Sequence, residues 1–397
     1  MQLKDLAKRL GIEEYPESLE EIYKSLDEND YSLCDTDNIK QLEKKYNLIG
    51  KYTDIAILAA EKLREDKDML SWGRLAVAYN KTITSLWEHQ IPMPKQNGGL
   101  VSDMLPLLVR LAEAETMVKR YKERGFSQEE ILRRIKTFGG SVSVCETLYA
   151  RPLLDTVQYN WMSHSIHAMI FDHKAFNFQP ATWDMNAIAL KNKENGSTLI
   201  MMLTGRFHRS GLVLGSAGCE DEAGSFSADY VETPEIFVGH VVSNGFVQKK
   251  TTVLEKSKWE CIIRQGDCIL NVHIPRKTDL TPAYVAESLR EGLEIAQKRY
   301  PDLSPKYLCC FSWLMDSRLI EILGEASKIT SFTKRFLKYP LRSHGRECID
   351  YVFPGCKNTE VENYPENTSL QRSIKQLMLD GKYIYGTAGI ITEDIII

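Results

Sequence analysis

The sequence is most informative at first through what it lacks. Its nine cysteines, at 34, 145, 219, 261, 268, 309, 310, 348 and 356, include no C-x₂-C pair. That spacing is the mark of a structural zinc or dithiol redox site, so neither is expected, and no metal ligand is assigned. An odd number of scattered cysteines fits reduced thiols in a cytoplasmic protein. The opening stretch, MQLKDLAKRLGIEEY, carries a charge every few residues and has no apolar core, so it does not read as a signal peptide. No uncharged apolar run reaches the ~18 residues needed to span a bilayer, so no membrane partner is expected. Internal repeats and low-complexity tracts are absent as well.

The charge balance is equally restrained. A net charge of −4 over 397 residues offers no general attraction to nucleic acid. With 43% apolar and 26% charged residues, the chain has the composition of a packed globular protein. Its length fits two or three domains.

Residues 1–150 read as helices. LKDLAKRLGI, SLEEIYKSLD, IKQLEKKYNLIGKYTDIAILAAEKLRE and MLPLLVRLAEAETMVKRYKERG repeat apolar residues at three- and four-residue spacing. Gly125 closes one helix, and Ser127 with Glu130 forms a capping-box start for the next. Residues 91–100, IPMPKQNGGL, read as a loop.

From about residue 165 short alternating runs take over, split by Asn-Gly, Gly-Asp or Pro. KENGST and VSNGFV are hairpin turns, because Asn-Gly accepts the positive φ those turns require. The Gly-, Ser- and acid-rich segment GLVLGSAGCEDEAGSFSADY is expected to be a mobile surface excursion. CILNVHI is then a strand. TPAYVAESLREGLEIAQKRY is a helix with Thr281 as N-cap, Pro282 at its first position and Val285, Leu289, Gly292, Leu293 and Ala296 as its buried stripe. KYLCCFSWLM is a second strand, and DSRLIEILGEASKI a helix capped by Asp316. A strand-helix-strand unit of this length makes a parallel pair. NTSLQRSIKQLMLDG is a further capped helix ending at Gly381.

The stretch ILNVHIPRKTDL holds the main site candidates. His273 lies at a strand's carboxyl end, and Arg276, Lys277 and Thr278 lead into a helix whose first amides have no intrahelical partner. Such a corner holds a phosphate or pyrophosphate, or is simply a solvated turn. His273 is a candidate base or a hydrogen-bonded strand histidine. In CCFSWLMD, Ser312 and Trp313 fall at the end of the neighbouring strand, while Cys310 is either a nucleophile or a buried inert thiol. His164 and His167 share a helix face but lack the glutamate and third ligand of a metal site. Arg206, His208 and Arg209 form a small basic group that binds an anion or lies solvated on a strand.

The order of these segments carries more than any one of them. ETMVKRYKERGFSQEEILRRI, a Trp161-containing helix running into FDHKAFNFQP, then FVGHVVSNGFVQKKTTVLEKSKWECIIRQGDCILNVHIP, LTPAYVAESLREGLEIAQKRYPDLSPKYLCCFSWLMDSRL and NTSLQRSIKQLMLDGKYIYG together resemble one bacterial acyltransferase-domain family. Its members have a helical N-acyltransferase N-terminal domain and a GNAT-like C-terminal domain. The resemblance covers most of residues 100–390 and is weaker over 1–90.

It implies an α+β protein: a helical domain over 1–150, followed over 151–397 by a GNAT-like mixed β-sheet flanked by helices. It also implies acetyl-CoA or another acyl-CoA as co-substrate and a small-molecule or peptide amine as acceptor, attacking the thioester directly. Mapped by position, the cofactor contacts are Arg276, Lys277, Thr278 and Trp313, with His273 as base and Ser312 as proton donor to the leaving thiolate. One departure stands out. The family's loop carries Q/R-x-x-G-x-G/A, whereas PRKTDL has no glycine. Either Arg276 and Lys277 supply charge in place of backbone contacts, or the fold serves as a non-catalytic ligand- or partner-binding protein.

Overall fold

A computed structural model describes residues 2–83, 91–356 and 359–391. The chain packs as two compact units, Met1–Phe171 and Asp172–Ile397.

The first unit is helical. Asp35 caps the helix Thr36–Tyr46, its carboxylate accepting from the amides of Asp37 and Asn38 at 3.0 Å each. The expected capping box is formed: Ser127 Oγ accepts from Glu130 N, and Glu130 returns a carboxylate to Ser127 N. The helix Thr156–Ile166 packs on Leu100–Leu111 and Thr137–Tyr149, so the helical unit runs some twenty residues past the division expected at 150. Residues 91–99 are irregular, as their Pro and Gly content implies.

The second unit holds strands β1 (Phe171–His173), β2 (Phe176–Thr182), β3 (Ala187–Asn192), β4 (Thr198–Met202), β5 (Thr204–Phe207), β6 (Phe226–Asp229) and β7 (Val231–Glu232). It continues with β8 (Ile236–Ser243), β9 (Phe246–Glu255), β10 (Trp259–Ile263), β11 (Cys268–His273), β12 (Tyr307–Ser312), β13 (Leu337–Pro340) and β14 (Thr387–Ile391). One sheet has the order β1-β2-β11-β12-β14-β13, and a second the order β10-β3-β4-β8-β7 with β9 beside β8. Both Asn-Gly turns form, Asn244 and Gly245 having φ of 50° and 85° between β8 and β9, and Gly196 lying at 72° between β3 and β4.

As expected, β11, the helix Pro282–Arg299 and β12 make a parallel unit with an interposed crossover. Val285, Leu289 and Ala296 are fully buried. Gly292 has a packing reason: a Cβ there would lie 2.3 Å from the Phe178 ring, so only glycine lets the helix approach the sheet. The opposite face of this sheet, with Ile269, Cys309, Ala388 and Tyr339, buries itself against Ala187, Ala189, Ile200 and Met202 of the second sheet.

Three local expectations are corrected. Residues 316–329 do not form one helix capped by Asp316. They form two short ones, Leu319–Leu323 and Lys328–Thr333, broken at Gly324 (φ 77°), with Ser327 as the second cap. Thr281 occupies the N-cap position, but its hydroxyl bonds Asp279 Oδ1 at 2.7 Å and caps no amide. The excursion over 211–230 is ordered rather than mobile: Ala217 N donates to Ser343 O at 3.0 Å, Ser343 N to Ser216 Oγ at 3.2 Å, and Tyr385 Oη to Ala217 O at 2.6 Å.

Candidate active site

The two central parallel strands stay together only briefly. β11 and β12 pair at Ile269–Tyr307, Leu270–Leu308 and Asn271–Cys309, and there the ladder stops. Past that rung β11 follows β2 as far as His273–Asn177, while β12 follows β14 as far as Ser312–Thr387. Each strand keeps its outer neighbour and loses its inner one. The result is a wedge opening toward the carboxyl ends, where ligands of open sheets gather. Backbone groups lining a parted pair have lost their ladder partners and are available to a third, extended chain.

Asn271 sits on the last shared rung. Its Oδ1 is buried and has no hydrogen-bond partner among the described residues. An orphaned acceptor at the apex of a cleft wants a donor, because a buried carbonyl without one costs ~1–3 kcal/mol. The residue stands in the stretch singled out from the sequence. Nothing in the sequence, however, shows where a ladder ends, so its role was not legible.

His273 lies two residues farther out, half-buried, its Nε2 2.7 Å from Gln179 Oε1. With the Gln179 amide oxygen as acceptor, Nε2 is the donor of this bond. Ser312 Oγ accepts from Leu314 N at 3.1 Å, which fixes its side chain and leaves the hydroxyl proton to donate. Trp313 is 9% exposed and packs in an apolar cap with Leu319, Ile349, Val352 and Ile374, with Tyr351 tilted against it at 6.4 Å.

The loop after β11 brings Arg276 and Lys277 to the surface, and neither forms an ion pair among the described residues. Lys277 has φ of 67°, a left-handed conformation that glycine normally takes, so the glycine-free loop makes the turn with a lysine under strain. Thr278 is turned inward, donating to Pro275 O and, at 3.3 Å, to Ala175 O. It therefore braces the loop. The helix that follows is 18 residues long; Pro282 has no N–H and Val285 N bonds Thr281 O at 2.9 Å, which leaves the amides of Ala283 and Tyr284 uncapped among the described residues, with Asp279 bonded to Thr281 just before them.

Other candidates are drawn elsewhere. Cys310 is 1% exposed and burial pushes its thiol up to about 12, which makes it a poor nucleophile. Arg206 and Arg209 pair with Glu222 at 3.3 Å and Asp221 at 3.0 Å. His164 and His167 are held near 4, chiefly by burial and then by neighbouring arginines. No group of three metal-ligating side chains occurs among the described residues.

A second polar cluster lies beyond the ends of β12 and β14. Asp316, 4% exposed, accepts a fork from Arg318 (Nε at 3.0 Å, Nη2 at 2.5 Å) and the Tyr385 amide at 2.7 Å. The Arg318 guanidinium lies 4.2 Å over the Tyr385 ring. A nearby lysine, Lys338 of β13, is 8% exposed and forms no ion pair or hydrogen bond among the described residues. Sequence reading assigned Asp316 to a helix cap and passed over the other three.

Comparison with known proteins agrees with this architecture. No curated protein matches the chain. Solved structures similar over their whole length include an acyltransferase in complex with decanoyl-CoA, at TM-score 0.65 and 13% identity over 98% of this chain and 99% of that one. A tryptophan-to-alanine variant with octanoyl-CoA (0.65, 13%, 99% of each chain) and a complex with CoA and 10C-teicoplanin (0.64, 13%, 99% of each) are similar to the same degree. At such identity the likeness is one of fold. Residues 176–391, more than half of the chain, match the model of the GNAT-like C-terminal domain, and the chain belongs to that family.

Proposed function

We propose that this protein transfers an acyl group from an acyl-CoA to an amine. The observation that carries the reading is the parted pair β11/β12 with the orphaned Asn271 Oδ1 at its apex. Such a wedge matches an extended pantetheine arm, whose amides supply both donors and acceptors. That structures of the same fold hold decanoyl-CoA, octanoyl-CoA and CoA supports the assignment.

In this reading Arg276 and Lys277 face the phosphates, together with the amides of Ala283 and Tyr284, and Thr278 holds their loop in shape. His273 takes the proton from the attacking ammonium, directly or through one water. Ser312 donates to the departing thiolate, and Trp313 forms part of the apolar wall beside the acyl end. Positioning and electrostatics supply the catalysis, as no residue in the wedge is poised as a nucleophile. The acceptor is a small-molecule or peptide amine; one structure of similar fold holds teicoplanin with decanoyl-CoA.

Calorimetric titration with acetyl-, octanoyl- and decanoyl-CoA tests this directly. Binding should weaken by about tenfold or more in an Arg276→Ala/Lys277→Ala double variant, the loss of two phosphate contacts. If the wild type binds none of the donors, the transferase reading is wrong. A second reading, a ligand-binding member of the family, is favoured by the glycine-free loop with its left-handed Lys277. It would be selected by donor binding without thiol release across an amine panel.

A further inference from the structure

Gln179 of β2 bonds a residue that its ladder position does not put opposite it. The register sets Gln179 across from Asn271, with Asn177 across from His273 one pair farther out. Cross-strand partners stand on the same side of a sheet, so these four polar residues share one face. One pair inward the same face carries Ala181 and Ile269, both part of the apolar core against the second sheet. The core face therefore turns polar at the rung where β11 and β12 part.

The Gln179 side chain passes over its opposite neighbour. Its Oε1 lies 2.7 Å from His273 Nε2, on the diagonal, while Asn271 Oδ1 is left without a partner among the described residues. Gln179 is 4% exposed. A buried amide in an interior strand costs free energy unless it is bonded. A purely structural role would be filled at lower cost by a bond to Asn271, or by an apolar side chain such as that of Ala181. The group this glutamine holds is the imidazole.

We propose that Gln179 is the positioning residue of His273: its amide oxygen fixes the ring and selects the neutral form with the proton on Nε2. In that form the other ring nitrogen is the one that takes up a proton. This role rests on the acyl-transfer reading, in which His273 is the base. A neutral amide suits the task where a carboxylate would not. It orients the ring without stabilising the imidazolium, so the ring releases its proton again after each transfer. Ser312 ends β12 on the opposite face, so a thioester held in the wedge has the base on one side and the proton donor on the other.

The surroundings of the ring on this sheet are largely uncharged. Asn177, Gln179, Asn271 and Phe311 stand beside it on β2, β11 and β12, and the second sheet meets this face through apolar side chains. Asp172 of β1 is the acid on that side, because the next residue, His173, reaches Glu291 on the opposite face. It lies two strands from β11, about 10 Å away, and is common to every variant compared. Arg276 and Lys277 follow in the loop.

Nitrogen NMR of the full chain with labelled histidine reads the pairing, with His273→Gln assigning the signal. Thiol release from decanoyl-CoA with the fastest amine of the panel reads its use. Wild type should show His273 in the Nε2–H form when neutral. Gln179→Leu should lose that preference and lower kcat by about tenfold, the loss of one buried hydrogen bond, with KM for decanoyl-CoA unchanged. Gln179→Glu keeps the acceptor and adds a charge that stabilises the imidazolium. It should raise both the His273 titration midpoint and the acidic limb of the kcat/KM profile by about one unit or more. Being nearly isosteric, it carries the test if Gln179→Leu fails to fold. An unchanged tautomer and midpoint in both variants would overturn the proposal. So would a changed signal with kcat and the pH profile as in wild type, since the bond would then be structural. No thiol release with any amine rejects the acyl-transfer reading and the positioning role with it. An unmoved His273 signal in an active enzyme rejects the positioning role alone.

Discussion

Each unit of this protein buries a cation, and the two are treated in opposite ways. Arg110, in the helical unit, is 1% exposed and fully engaged: Nη1 donates to Glu113 Oε2 at 2.8 Å, Nε and Nη2 to Tyr159 O at 3.2 and 2.8 Å, and Nη2 to Ser163 Oγ at 2.5 Å. Its guanidinium also lies 3.8 Å over the Tyr159 ring. Lys338, in the sheet unit, is 8% exposed, forms no ion pair or hydrogen bond among the described residues, and keeps its Nζ within reach of water. A charge whose partners come from the same unit is completed when that unit folds, and it specifies packing. A charge whose stem is buried while its ammonium reaches water specifies no partner and holds no packing in place.

The largest expected effect breaks the completed site. Glu113→Ala leaves Arg110 with an uncompensated charge and should destabilise the helical unit by about 3–5 kcal/mol in chemical denaturation. Next comes acid. His164 sits near 4 in the folded protein against an ordinary 6.5, so the unfolded chain binds the extra proton first. Stability should therefore be complete above about pH 6.5 and fall as pH drops toward 4, by about 3 kcal/mol from this residue, levelling off below that. Thermal melts across that range check it, and His164→Gln should flatten the slope. Lys338→Met should go the other way from Glu113→Ala, leaving the fold as stable or raising it by about 1 kcal/mol, because methionine keeps the buried apolar stem and no described residue pairs with the ammonium it removes. A strongly destabilised Lys338→Met would erase the contrast between the two cations. The smallest effect is at Lys277: glycine there relieves the left-handed strain and stabilises by up to about 1 kcal/mol, while donor affinity falls with the lost charge. Paired melts and titrations of that variant separate the two.

The helices, the hairpin turns and the β11-helix-β12 unit were legible because each is written in local chemistry. The Ser127–Glu130 capping box and the Asn244-Gly245 turn are properties of adjacent residues. The functional details were not, for an equally physical reason. Asp316 followed by an apolar run reads as a helix cap, and only the approach of Tyr385, 69 residues on, turns it into an ion-pair anchor. A lysine in a short strand reads as an edge residue until the β8–β9 turn covers it. The acid-rich excursion reads as mobile because its anchors at Ser343 and Tyr385 lie more than a hundred residues away. His273 and Ser312 were visible as residues at strand ends, but the parting of their strands between them belongs to the register.

That parting is the central claim, and amide hydrogen exchange with and without decanoyl-CoA tests it most directly. The donor should slow exchange at residues 271–274 of β11 and its exit, at 310–313 of β12, and in the first turn after Pro282, while the β8–β9 hairpin is unchanged. Protection confined to other elements, or none at saturating donor, would contradict it.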